Sequence, residues 1–262
     1  MMSGEKKDVE SNKAARSTKS VKSTKSTKSV KSTKSVKSTK SAKSAKPSKD
    51  LALRALRINE RLKKVYPEAE CALEFGGEPW KLMVMGRLSA QCTDKRVNEV
   101  SRVLFEKFPT PEALAYGDIA EIEKIVRPCG LFHVKSEDIK EECRMLVEDF
   151  GGVLPDTMES LLSFRGVGRK IANLLLGDVF GKGGIVADTH CIRISGRLGF
   201  YPEEWRDPLK TERIMSALIP ESDQSDFCHR IVTFGREFCK AQSPECFSCP
   251  LADLCASKSK KA

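Results

Sequence analysis

Four cysteines crowded near the C-terminus limit what this chain can fold into more than any other feature. Cys239, Cys246, Cys249 and Cys255 form the spacing C-x6-C-x2-C-x5-C. Four thiolates within 17 residues can surround one soft metal centre, because the loops between them are short. Unliganded buried cysteines are the plain alternative, but the crowding beside Pro244 and Pro250 argues against it. Zinc sites usually pair their ligands as two C-x2-4-C knuckles, which this spacing does not. The residues by themselves leave zinc and a [4Fe-4S] cluster both open. The other six, Cys71, Cys92, Cys129, Cys143, Cys191 and Cys228, are scattered, most of them on apolar helical patterns, and read as core residues.

Upstream of the cysteines the hydrophobic period is helical nearly throughout. Leu51, Leu53, Leu56, Ile58, Leu62 and Val65 recur at helical spacing, and Pro67 ends that run. The same reading predicts helices over 80–92, 97–108, 111–116, 119–126, 136–150, 157–162, 170–179, 189–198 and 227–238. No alternating strand pattern appears, so the expected class is all-α. No run approaches the 18 or more apolar residues of a membrane span, and the N-terminus carries no apolar signal segment. A cytoplasmic protein is expected, in a reducing compartment where metal or cluster binding is favoured over disulfides.

The formal charge of +10 is unevenly spread. Residues 1–50 hold 14 Lys and one Arg against Glu5, Asp8, Glu10 and Asp50, whereas residues 51–262 hold 31 basic and 32 acidic side chains. From Lys19 to Lys49 a lysine falls at every third position, a period that builds no helical face. Residues 1–50 are therefore expected to be a disordered basic tail, serving as an electrostatic arm towards DNA phosphates or as a plain solvated extension; a mitochondrial transit peptide is a third option, although those favour Arg and amphipathicity over a Lys repeat.

Phe164-Arg165-Gly166-Val167-Gly168-Arg169-Lys170 joins two predicted helices. Its glycines permit a tight turn, and the helix that follows aims free N–H groups and its positive dipole end at whatever lies there, which suits a backbone phosphate. Lys170 stands at that helix start. Partial burial and the helix terminus would favour a neutral amine, able to attack a sugar C1′; the plain alternative is simple pairing with phosphate. Asp188, in Ile185-Val186-Ala187-Asp188-Thr189-His190, is a candidate partner carboxylate and also a natural N-cap.

Taken in order, Leu88-Ser89-Ala90-Gln91-Cys92-Thr93-Asp94, Gly130-Leu131-Phe132, the hairpin with its lysine, Val186 to His190 and the cysteine spacing resemble the endonuclease III branch of the helix-hairpin-helix DNA glycosylases. The resemblance spans about residues 52–256. It implies a six-helix domain over 72–182, and an iron–sulfur domain built from 51–71 and 183–262. It implies a [4Fe-4S] cluster on the four cysteines, Lys170 as Schiff-base nucleophile and Asp188 as catalytic carboxylate. Gln91 and Leu131 would fill the gap left by a flipped nucleotide, and Arg165, Gly166, Val167, Gly168 and Arg169 would meet DNA.

The implied activity is that of a monomeric enzyme acting on damaged double-stranded DNA, removing oxidised pyrimidines and then cleaving the strand at the abasic site. Two departures stand out. Arg165 occupies a place where the family usually has proline, and the loop Lys240–Glu245 carries one positive and one negative charge where relatives are more basic. Two other readings compete. An adenine-mismatch glycosylase needs a carboxylate in the helix before Gln91, and 79–93 has none; a catalytically inactive DNA-binding relative would have no need of both Lys170 and Asp188.

Overall fold

The computed structural model describes residues 47–257, and nearly all of the expected tail, residues 1–46, lies outside them. The helices are α1 (Lys49–Val65), α2 (Pro79–Leu88), α3 (Asp94–Lys107), α4 (Pro111–Tyr116), α5 (Ile119–Val126), α6 (Phe132–Phe150), α7 (Met158–Ser163), α8 (Arg169–Asp178), α9 (Thr189–Arg197), α10 (Pro208–Leu218) and α11 (Gln224–Glu237). Two 3-10 turns lie at Arg127–Cys129 and Glu221–Asp223, and the described residues contain no strand. No described helix is long and apolar enough to cross a membrane.

Most of these helices begin where a short polar side chain can satisfy an orphan N–H. Ser48, Thr93, Thr110, Asp118, Thr157, Asp188 and Asp207 each accept a hydrogen bond from the first turn of the helix they precede. The boundaries differ from the sequence expectation in several places: the helix expected over 80–92 ends at Leu88, the one expected over 97–108 begins at Asp94, and those expected from 136 and 227 begin at Phe132 and Gln224. Lys49 and Asp50, expected in the tail, form the first turn of α1. Residues 72–182 hold seven helices rather than six, α4 and α7 being only six residues each. Helix α10 was not anticipated at all, although Asp207 followed by Pro208 is a cap-and-first-turn signature.

Two hydrophobic cores organise the described chain. The first is contributed by residues between Leu73 and Leu176, from α2 to α8. In the second, Ala55, Ile58 and Leu62 of α1 pack with residues between Ile185 and Leu251. The α1 positions recur at spacings of three and four, one stripe of the helix. Each fully buried Ile or Leu there contributes roughly 1.5–3 kcal/mol. Helix α11 packs against α1, α9 and α8, and so joins the two cores.

Candidate active site

The hairpin between α7 and α8 is built around one obligatory glycine. Gly166 has φ +83°, and a Cβ there would lie 3.0 Å from Arg87 Cδ and from Glu142 Oε1. Phe164 and Val167 are buried beneath the turn, closed by a 3.1 Å bond from the Val167 N–H to the Phe164 carbonyl. Val167 therefore serves the hairpin by packing. Gly168 is the N-cap of α8, with an extended backbone and no atom within 4 Å of a Cβ placed on it. No side chain caps α8, so its first-turn N–H groups and positive dipole end adjoin open space. The two arginines of the hairpin are engaged: Arg165 pairs with Glu137 at 3.0 Å and Asp138 at 2.8 Å, and Arg169 pairs with Glu212. Either guanidinium must exchange a carboxylate for a phosphate to serve DNA.

Beneath the turn, Glu142 is fully buried and neither carboxylate oxygen has a hydrogen-bond partner. Burial, against the opposing pull of Arg87, holds its pKa well above 4.5. With the folded value raised above the unfolded one, stability is full below the ordinary carboxylate range and falls as pH rises towards the folded-state pKa. The slope can reach about 1.4 kcal/mol per pH unit for one proton. Glu142→Gln is expected to flatten this slope in denaturant unfolding measured from pH 5 to pH 8. Equal slopes in the two proteins would rule the assignment out.

Lys170 is the second residue of α8, and its side chain is exposed rather than partly buried as the sequence suggested. Asp188 is mostly buried. It caps α9 by accepting the Cys191 N–H at 2.7 Å, and its other oxygen lies 3.4 Å from His190 Nδ1. Burial opposes ionisation of this carboxyl. The His190 and Cys191 hydrogen bonds, with the charges of His190 and Lys170, outweigh that and hold its pKa below the usual value. The fold thus brings Lys170 and an ionised Asp188 within electrostatic reach, with the cap fixing the carboxylate in place.

Gln91 (φ 54°) and Leu131 (φ 50°) are the non-glycine residues with positive φ among the described residues. Such backbone costs about 1–2 kcal/mol for an L-residue and tends to persist where function requires it. Leu131 is 58% exposed, and Gln91 is exposed as well.

The four clustered cysteines line one cavity, together with Leu198, Phe234 and Leu251. Arg197 reaches in from α9, 3.5 Å from Cys239 Sγ, and also holds the carbonyls of Lys240 and Ala241. Arg193, one turn earlier, donates to the Cys239 carbonyl at 3.0 Å, and its buried Nε has no partner. Burial pushes the Cys239 and Cys249 thiols up.

Residues 84–221 match the HhH-GPD superfamily of base excision DNA repair proteins. The endonuclease III of Synechocystis sp. is 45% identical over 205 residues, covering 78% of this chain and 92% of that protein. The chain belongs to the endonuclease III family. The endonuclease III of Bacillus subtilis is 38% identical over 203 residues, covering 77% of this chain and 91% of its own. A solved non-covalent endonuclease III–DNA complex has the same fold, with a TM-score of 0.74 and 38% identity over 78% of this chain and 95% of that one.

In this chain, sequence reading passed over Lys135. Its side chain is wholly buried, and its amine donates to the carbonyls of Leu88 and Cys129, each at 2.8 Å. Those carbonyls end α2 and a 3-10 turn, where the negative helix pole favours a cation; burial nonetheless pushes the amine's pKa down. One ammonium thus ties together the segments that lead into Gln91 and Leu131. The signal was available: Lys135 stands on the stripe Ile139, Glu142 and Leu146, the buried face of α6. Lys135→Met should leave both carbonyls unpaired, at about 1–3 kcal/mol each. Urea unfolding is expected to show a loss of about 2–4 kcal/mol, and a change below about 0.5 kcal/mol would refute this role.

Proposed function

We propose that this endonuclease III-family chain removes oxidised pyrimidines from duplex DNA and then cleaves the abasic strand through Lys170. The carrying observation is an amine at the uncapped start of α8, within electrostatic reach of an ionised, backbone-held Asp188. Lys170 Nζ, as the free amine, bonds to C1′ and the damaged base departs with the glycosidic electron pair. Asp188 stabilises the positive charge that develops on the sugar. The C1′–O4′ bond then opens, with the amine's proton passing to O4′, to give the Schiff base, and loss of a proton from C2′ expels the 3′ phosphate by β-elimination. Lys170 is exposed in the free protein and so is open to a bound duplex. A relative of this fold has been trapped as a covalent DNA intermediate, which supports a covalent route here.

Gln91 and Leu131, exposed on left-handed turns, enter the gap left by the flipped nucleotide, at a cost of a few kcal/mol that is lowest at damaged pairs. The α8 N-terminus behind Gly166 and Gly168 receives a backbone phosphate, with Arg165 and Arg169 beside it. The two cores act as two domains, 72–182 and 51–71 with 183–262, and a monomer holds the duplex between them.

The four cysteines suit a [4Fe-4S] cluster better than one zinc ion. Their C-x6-C-x2-C-x5-C spacing lacks the paired C-x2-4-C knuckles usual at zinc. Arg193 and Arg197 place positive charge beside the thiolates. When bound, the cluster fixes the loop from Cys239 to Cys255.

Duplexes bearing single defined lesions test the reading. Base release and nicking are expected at oxidised pyrimidines. Release of adenine from mismatches in preference to these would overturn the substrate class, and binding without product would favour an inactive relative.

A further inference from the structure

We propose that Cys71, Asp178 and His229 form a site for one divalent transition-metal ion of the zinc class, distinct from the C-terminal cysteines. Cys71 lies between α1 and α2, Asp178 ends α8, and His229 stands in α11, so the ion would pin segments serving both cores. One ligand atom from each residue lies within 4.8 Å of the other two. A thiolate, an imidazole and a carboxylate match zinc chemistry, and they disfavour magnesium or calcium, which take oxygen ligands.

Asp178 supplies an independent pointer. Its side chain is nine-tenths buried. One oxygen accepts the Ser225 hydroxyl and lies 2.8 Å from His229 Nε2. The other, Oδ2, is buried with no hydrogen-bond partner, a costly state that a bound cation would relieve. The Cys71 thiol faces this carboxylate and interacts with it, while Oδ2 is left without a hydrogen bond of normal geometry, and Asp94 adds further negative potential.

Burial, then the Asp178 charge, push the Cys71 thiol up to about 12, so with no ion it keeps its proton. An incoming dication displaces that proton to solvent. Where Nε2 carries the imidazole proton, it moves to Nδ1 as Nε2 takes the metal. Thiolate and carboxylate then balance the two positive charges, as a largely buried site requires. Ser225 Oγ, 3.5 Å from His229 Nε2, or a water completes four ligands.

The test uses the full-length, iron-loaded protein with added Zn2+, counting zinc and iron together and following Tm. One zinc per chain with unchanged iron is expected, and Tm should rise by about 5–10 °C at a hundredfold excess over Kd. Cys71→Ala and His229→Ala should each lose the zinc and the Tm shift while keeping their iron. Cys71→Ala leaves the Asp178–His229 pair intact, which guards against a variant that fails to fold. No zinc bound at micromolar free metal, or equal zinc in parent and Cys71→Ala, would overturn the proposal; the latter result would assign the metal to another site.

Discussion

Lys170→Gln is expected to abolish borohydride-dependent capture on an abasic duplex and to cut strand nicking by about 10^4-fold. Capture needs a reducible imine, and only a primary amine makes one from the sugar aldehyde. Glutamine has comparable reach and hydrogen-bonding capacity but no nucleophilic nitrogen, so the comparison isolates the bond-forming step. Lys170 is exposed at the second position of α8, so the exchange should leave Tm within about 1 °C, surface changes being worth roughly ±0.5 kcal/mol. DNA affinity should fall only modestly, by the loss of one charge. A variant that still gave a covalent band at the parent's yield would show that another amine carries the chemistry.

Asp188→Asn is expected to slow base release by about 10^2–10^3-fold, the usual range for losing one preorganised electrostatic group, with Tm nearly unchanged. Asparagine caps a helix about as well as aspartate, so it keeps the bond to the Cys191 N–H while removing the negative charge. Asp188→Ala removes both and should lose a further ~1 kcal/mol of stability. This pair separates the capping role from the electrostatic one: equal base release by parent and Asn variant would leave Asp188 as a cap alone. The depressed pKa of Asp188 sets the sign of the pH dependence. Its charge, and the stability linked to it, are present above the ordinary carboxylate range and are lost as pH falls through the lower folded-state value. The acid limb of base release that belongs to this group should therefore lie below the ordinary carboxylate range.

Much of this molecule was legible before any coordinates. Helices with a strong apolar stripe and a polar cap, such as α1, α4 and α5, fall where spacing and capping residues place them. Helix α10 escaped because it buries only Thr211, Met215 and Leu218 and shows little apolar rhythm, and its Asp-Pro start went unused. Other features depend on tertiary neighbours. The left-handed turns at Gln91 and Leu131 follow from how two helix ends meet, which local propensity does not encode. The sequence shows Lys135 only as a lysine on the buried stripe of α6, and its two carbonyl partners come from other segments. Pairing of Arg165 with Glu137 and Asp138, and of Arg169 with Glu212, joins segments about 30 and 40 residues apart and could not be foreseen from composition.

Helix α1 packs with residues that follow Ile185, while the first core is completed by the chain in between. On a ribosome, then, α1 emerges more than 100 residues ahead of its partners, and its apolar stripe at Ala55, Ile58 and Leu62 has nothing native to cover it. The middle of the chain can collapse on its own during that interval. The terminal core closes last, around a helix made more than 100 residues earlier, so a nascent chain arrested before Ile185 carries a sticky, unmatched surface for chaperones to shield.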